Sequence, residues 1–301
     1  MSQRSGTHFQ GPVLASGRTA GGNLEDAPLA AIDRVRSVYK VFVENFDYPI
    51  ASAATLAGSG CTATDINTPT SPTYAVTGAA PYLLINPGSK ADSGVELQWV
   101  AAVSQATYIT PAQRFLPPVV STATLMDTRE LFWFTRVGFM SDTTAWDGKA
   151  LLGWFTTDTT LMTNTTGVPS VATGGGLGFH IGETGSLTYL GAQTAITAAG
   201  TDTGTSILAL DTAATFQWYN LGFRCRWVDA SAGTGVADFY VNGANVGSIT
   251  TDLPMASTQT YGTTFAIQNG PARASDMAVD YVVMGITRAG LTYPYTGGIG
   301  L

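Results

Sequence analysis

Apolar and polar residues alternate along most of this chain, and alternation with a period of two predicts β-strands. In the run ADFYVNG, Phe239 and Val241 fall on one face of a strand, and Asp238 and Tyr240 fall on the other. The Asn242-Gly243 pair that follows favours the positive φ angles of a tight hairpin turn. The same criteria predict a series of strands separated by turn residues. The predicted strands are Tyr82–Ile85, Val95–Val100, Glu130–Met140, Lys149–Thr156, Gly176–Ile181, Ser186–Leu190, Trp218–Val228, Gly235–Val241, Asn245–Ile249, Thr264–Gln268 and Met277–Ile286.

The N-terminal part of the chain has few large apolar side chains. Residues 1–46 are predicted to form an extended arm and a first strand, because Gly, Ser, Ala and Arg predominate at the start of this segment. The strand is placed from about Arg36 to Val43, and a short helix that begins at Pro28 is the alternative.

The rest of the chain is predicted to form one β domain and a tail. Residues 47–288 contain the predicted strands, and residues 47–80, rich in Ala, Ser, Thr, Gly and Pro, are expected to form a long surface excursion. Residues 289–301 hold Pro and several Gly, and they predict a short C-terminal tail. The fold class is therefore all-β, an antiparallel β-sandwich with an extended N-terminal arm.

Composition agrees with this architecture and narrows the functional classes. Only 12% of the residues are charged, whereas 35 are Gly and 14 are Pro, which excludes a helical bundle. The net charge of −7 and the pI near 4.7 argue against nucleic-acid binding, which needs clustered Lys and Arg. No apolar stretch is long enough to cross a membrane and no secretory signal is recognisable, so we expect neither membrane insertion nor secretion.

The two cysteines, Cys61 and Cys225, lie far apart and outside any C-x-x-C spacing. We expect two buried free thiols, because cysteine is among the most buried residue types, and one disulfide is the alternative.

Six segments follow one another along the chain, namely RELFWFTRVGFMSD (129–142), KALLGWFTTD (149–158), GGLGFHIGETGSLTY (175–189), FQWYNLGFRCRWVD (216–229), VADFYVNGANVGSIT (236–250) and MAVDYVVMGITR (277–288). In this order they resemble the concanavalin A-like jelly roll of tailed-phage structural proteins. Separately, THFQGPVLASG at residues 7–17 is similar to the Phe-x-Gly-Pro-Val stretch with which many marine phage and cyanophage virion proteins begin. The resemblance implies a virion component, most simply a capsid decoration or cement protein.

The residues for catalysis are sparse, and the chain is predicted not to be an enzyme. Glycosidases on this type of sandwich carry closely spaced acids on one strand. The nearest pairs here have the wrong spacing, namely Asp276 with Asp280 and Glu25 with Asp26. His8 and His180 are the only histidines, which excludes a three-histidine zinc site. His180 and Glu183 are expected to make a cross-strand polar contact.

No cofactor is expected. Lectins of this class bind calcium through loop carboxylates, but the candidate aspartates form no D-x-[DN]-x-[DN]-G run, and we favour turn formation over calcium. The candidates are Asp142, Asp147, Asp158, Asp202 and Asp211.

Tryptophan is the residue type that could contact a ligand or partner. Five of the six tryptophans fall inside predicted strands, where packing in the core is the usual role. Trp146 falls in a predicted loop and is the candidate for ligand or partner contact.

Two functions are compatible with these features. The first is a structural protein at the head surface of a virion, made in the host cytoplasm, whose arm binds the major capsid protein through Phe9, Pro12, Val13 and Leu14. Its low charge also suits self-association, with a trimer favoured over a dimer. The alternative is a carbohydrate-binding, lectin-like module of a tail fibre or baseplate, with Trp146 as a contact.

Overall fold

The described residues form strands and turns. The computed structural model describes residues 39–44, 46, 50, 61–77, 80–100, 130–141, 146–156, 162, 175–183, 186–192, 202–206, 215–229, 232–251, 253–254, 261–271 and 274–287. Over these ranges we find no helix with the length and apolarity of a membrane span. The strands are β1 (Tyr39–Glu44), β2 (Cys61–Ile66), β3 (Thr73–Thr77), β4 (Ala80–Asn86), β5 (Gly94–Val100), β6 (Glu130–Ser141), β7 (Lys149–Thr156), β8 (Gly176–Ile181), β9 (Ser186–Ala192), β10 (Asp202–Ser206), β11 (Gln217–Asp229), β12 (Thr234–Val241), β13 (Ala244–Ile249), β14 (Tyr261–Gln268) and β15 (Ser275–Thr287).

These strands form two antiparallel sheets. The eight-stranded sheet has the order β13-β12-β11-β6-β15-β4-β3, and β1 also pairs with β15. The seven-stranded sheet has the order β10-β9-β8-β7-β14-β5-β2. Neighbouring strands are often distant in sequence, because the chain passes repeatedly from one sheet to the other. The predicted antiparallel β-sandwich is confirmed.

Aromatic side chains join the inner faces of the two sheets. The ring of Trp133 on β6 lies 5.9 Å from that of Phe265 on β14, and Phe179 on β8 lies 5.6 Å from Phe239 on β12. All four side chains are at most 1% exposed. Burial of such large rings is the main source of free energy that holds the sheets together.

The eleven strands predicted from alternation all exist, with ends that differ by a few residues. The first strand, placed from about residue 36 to 43, is β1.

Residues 47–80 were predicted to form a surface excursion, but residues 61–66 and 73–77 form strands. This segment contributes β2 to the seven-stranded sheet and β3 to the eight-stranded sheet, and Ile50 pairs with Val76. Its small residues hide the alternation, but backbone hydrogen bonds need no large side chains, and Cys61 and Ile66 are buried at the two ends of β2.

Cys61 and Cys225 are free and buried, as predicted. Cys61 lies on β2 of one sheet and Cys225 on β11 of the other. Residues 1–38 of the predicted arm and the predicted tail at 289–301 lie outside the described residues.

Candidate ligand-binding surface

A group of partly exposed aromatic and charged side chains lies on the outer face of the eight-stranded sheet. It consists of Tyr82 on β4, Arg136 on β6, Trp218 on β11 and Asp280 on β15, with Phe216 just before β11. We call these five residues the aromatic patch. The patch faces outward because side chains alternate along a strand. On β6 and β11 the odd-numbered residues fill the core, so the even-numbered Arg136 and Trp218 lie on the opposite face.

The three rings of the aromatic patch touch one another across the sheet. The Tyr82 ring lies 5.4 Å from Trp218 and 5.6 Å from Phe216, in edge-to-face geometry. Strands β6 and β15 separate β4 from β11, so this contact requires small residues on the intervening strands. Gly138 and Ala278 meet this requirement, and a Cβ atom on Gly138 would lie 3.1 Å from the Trp218 ring.

The charged members of the patch form a pair beside the indole. Arg136 Nη1 donates to Asp280 Oδ2 at 2.7 Å, and the guanidinium carbon lies 4.6 Å from the Trp218 ring centroid. The Arg136 side chain is 44% exposed and that of Asp280 is 30% exposed, so solvent screens the pair. The pair contributes little to stability, but it presents a donor and an acceptor beside an aromatic surface.

A β-bulge sets the position of Asp280. The pairing of β15 with β6 shifts between Val279 and Tyr281, so Asp280 is the extra residue. Bulges bend a strand and redirect side chains. The Thr135 hydroxyl donates to the Tyr281 carbonyl at 2.7 Å and therefore bonds a backbone group next to the irregularity.

The outer face of the seven-stranded sheet is closed by comparison. Leu151, Phe155 and Ala266 form a buried cluster there with Met162, which lies in the connection between β7 and β8. Gln98, on the same face, is 4% exposed and donates to the Thr264 hydroxyl at 3.2 Å. All residues of β7 and β14 are buried, so the centre of this face is covered.

Trp146 does not have the role predicted for it. The side chain is 4% exposed, its indole N–H donates to the Gly182 carbonyl at 3.1 Å, and its ring packs edge-to-face on Phe139. A buried indole with its only donor engaged presents no face to a ligand. Trp146 therefore belongs to the core, although it lies outside the strands.

The predicted anchor of the N-terminal arm lies outside the described residues. It consists of Phe9, Pro12, Val13 and Leu14. The ranges that the structure describes contain no cluster of three or more His, Cys, Asp or Glu side chains suited to a metal.

Glu183, which was expected to contact His180, forms an ion pair with Lys149. The Lys149 Nζ atom lies 2.8 Å from Glu183 Oε1, and the lysine side chain is 4% exposed. Glu183 is 52% exposed and lies in the turn after β8, so the ion pair connects this turn to the first residue of β7.

Sequence reasoning missed Trp218, although a signal for it was present. Residues Leu221, Phe223, Cys225 and Trp227 on the same strand all face the core. Trp218 has the opposite parity and therefore faces outward. Membership of a strand does not by itself mean burial, because parity decides which face a residue occupies.

The sequence matches no protein-family model and no curated protein. Among solved structures, the chain is similar to the potassium-bound carbohydrate recognition domain of Emp46p, with TM-score 0.48, 12% identity, and coverage of 81% of this chain and 95% of that chain. It is also similar to a legume lectin-like domain from Entamoeba histolytica, with TM-score 0.46, 10% identity, and coverage of 79% and 95%.

A third similar structure is a Bacillus licheniformis β-glucanase, with TM-score 0.42, 8% identity, and coverage of 81% and 97%. These are lectin and glucanase jelly-roll structures, and the likeness concerns the fold alone. From its own two antiparallel sheets, the chain is a β-sandwich.

Proposed function

We propose that the protein is a non-enzymatic, lectin-like module that binds saccharides. The observation that carries the proposal is the aromatic patch, where partly exposed rings adjoin the Arg136–Asp280 pair. Saccharides expose C–H faces that stack on aromatic rings and hydroxyls that both donate and accept hydrogen bonds. A shallow surface that offers rings, a donor and an acceptor together matches that chemistry.

Carboxylates on the same sheet face are engaged by arginines. Arg224 binds Glu130 through two contacts of 2.7 Å, and Arg136 binds Asp280. An arginine that already bonds each carboxylate leaves it fewer open positions for a partner in proton transfer. These pairs support a role in binding.

The experiment is a binding screen of the full chain against immobilised glycans, with and without calcium. We expect calcium-independent binding to at least one glycan, with a dissociation constant on the order of 1 mM for a single sugar unit. Absence of binding to every glycan in both conditions would refute the proposal.

A second candidate is a structural protein of a phage virion, and the order of the six sequence segments favours it. Those segments coincide with β6, β7, β8, β11, the β12–β13 hairpin and β15, in the order expected from the resemblance. In this role the N-terminal arm would bind the major capsid protein at the head surface, and the low charge would favour self-association, as a trimer before a dimer.

Two measurements test the virion role. The copy number in purified particles should be a few hundred for a decoration protein, whereas about a dozen copies or fewer would indicate a tail component. Deletion of residues 1–30 should leave a folded domain that no longer adds to heads. Unchanged addition of the truncated protein to heads would exclude the arm as the anchor.

A further inference from the structure

We infer that the aromatic patch selects neutral pyranosides with two adjacent hydroxyls and discriminates against anionic sugars. This inference rests on the proposed saccharide-binding function and specifies its ligand class. It follows from the polar groups around Trp218 that have capacity for further hydrogen bonds.

Arg136 has N–H groups beyond those that its bond to Asp280 uses. Arginine carries five N–H groups, and within the described part of the chain only Nη1 of Arg136 bonds a side chain. The guanidinium carbon lies over the Trp218 ring, so the remaining N–H groups of Arg136 lie beside the indole. A hydroxyl oxygen above the edge of the indole can accept from them.

Asp280 has a second carboxylate oxygen, Oδ1, beyond the one that binds Arg136. Its Oδ2 atom accepts from Arg136, whereas among the described residues no donor bonds Oδ1. A hydroxyl adjacent to the one bound by Arg136 can donate to this oxygen. Two neighbouring hydroxyls therefore match the pair, one as acceptor and one as donor, while the C–H face of the sugar packs against the rings of the aromatic patch.

Asn220 extends the polar edge of the site. It pairs with Arg136 across β11 and β6, and it has the same outward parity as Trp218. Its backbone is fixed by two hydrogen bonds with Asn242, of 2.7 and 2.9 Å. The side-chain amide offers both a donor and an acceptor to a further hydroxyl or a second sugar ring.

The same geometry disfavours anions. A carboxylate or phosphate that approached Arg136 would lie beside Asp280, and repulsion between like charges would offset its attraction to the guanidinium. Displacement of Asp280 from Arg136 would leave that carboxylate without its partner. A neutral diol keeps the ion pair intact and so incurs neither cost.

The Asp280→Asn variant separates the two ligand classes. The substitution keeps the shape and an acceptor oxygen but removes the negative charge, so neutral and anionic sugars should respond in opposite directions. We expect the affinity for a neutral methyl pyranoside to fall by about fivefold to tenfold, the scale of one ordinary net hydrogen bond. The affinity for glucuronate should rise.

The measurement is titration of the full chain with methyl glucoside, mannoside and galactoside, and with glucuronate and N-acetylneuraminate, followed by NMR line broadening. Trp218→Ala should abolish detectable binding, and Trp218→Phe should retain part of it. Val228→Ala is the matched control, since Val228 is 77% exposed on the same strand and face and lies outside the patch. Urea unfolding verifies that each variant is folded.

The outcomes separate the inference from the proposed function. Binding of neutral sugars that weakens in Asp280→Asn and Trp218→Ala, with Val228→Ala unchanged, supports the inference. A parent protein that prefers the anionic sugars, or glycan binding that patch substitutions leave unchanged, overturns the inference and leaves the proposed function standing. Failure of the parent to bind any glycan overturns both.

Discussion

The two buried thiols should make the protein lose stability at alkaline pH. Burial is the largest cause that raises the pKa of both Cys61 and Cys225 well above the ordinary value of 9.0. For Cys61, a backbone hydrogen bond with Gln98 opposes this shift and the charge of Glu44 adds to it. Both thiols therefore stay protonated in the folded chain at a pH where the unfolded chain ionises them.

The sign and size of the effect follow from proton linkage. Above the unfolded pKa, the unfolded state binds fewer protons than the folded state, so the free energy of unfolding falls as pH rises. Each thiol contributes a slope of about 1.4 kcal/mol per pH unit between its unfolded and folded pKa values. Below the unfolded pKa both states bind the proton, and the contribution of the thiols is constant.

Urea unfolding at pH 7, 8, 9, 10 and 10.5 measures this slope under reducing conditions. Cys61→Ala and Cys225→Ala are the matched variants, because the loss of packing shifts stability by the same amount at every pH, whereas the loss of the thiol removes one titrating group. We expect the alkaline slope to become shallower by about 1.4 kcal/mol per pH unit in each variant. A slope that is the same in the parent and both variants would refute the reasoning.

Three further predictions concern stability and can be measured by urea unfolding at neutral pH. Gly153→Ala should destabilise by more than about 1 kcal/mol, because Gly153 has φ 151° and its Cβ would collide with the Leu177 carbonyl, whereas Gly182→Ala, with nothing within 4 Å, should change stability by less than about 0.5 kcal/mol. Equal effects of the two substitutions would contradict this reading. Glu130→Ala should cost about 3 kcal/mol, because it removes the carboxylate that binds Arg224, whose side chain is only 12% exposed. The cost should be clearly smaller in Glu130→Gln, which keeps an acceptor, and equal losses in both variants would argue against the ion pair as the cause. Thr135→Val should cost about 1–2 kcal/mol through the lost hydrogen bond to the Tyr281 carbonyl, and unchanged stability would mean that water replaces the hydroxyl.

Alternation along the sequence predicted the strands well because large residues mark the core face. On β12 every second residue is buried, as the period of two requires. β2, β3 and β10 were missed because they consist largely of small and polar residues, Thr above all. Their pairing depends on backbone hydrogen bonds to neighbouring strands, and such partners are not visible in a local sequence window.

The candidate site was harder to predict because it depends on contacts between strands. Trp218 could be placed on the outer face from its parity, but its contact with Tyr82 follows from the strand order β11-β6-β15-β4. Trp146, by contrast, lies outside the strands but is buried. Its ring packs on Phe139 and its N–H donates to the Gly182 carbonyl. Position inside or outside a strand therefore says little about exposure.

The bulge at Asp280 nevertheless leaves a trace in the sequence. On β15 the core residues are Met277 and Val279, followed by Val282 and Met284, so the inward parity changes from odd to even. A strand whose core-facing parity changes in mid-course must contain an extra residue, and here that residue is an aspartate. Without the bulge, either Val279 or Val282 would face solvent, and Asp280 would keep a regular ladder position beside Arg136. The irregularity lets both valines stay buried while it sets the carboxylate where it binds the guanidinium. A change of parity next to a charged residue is therefore a feature by which such a surface could be found from sequence alone.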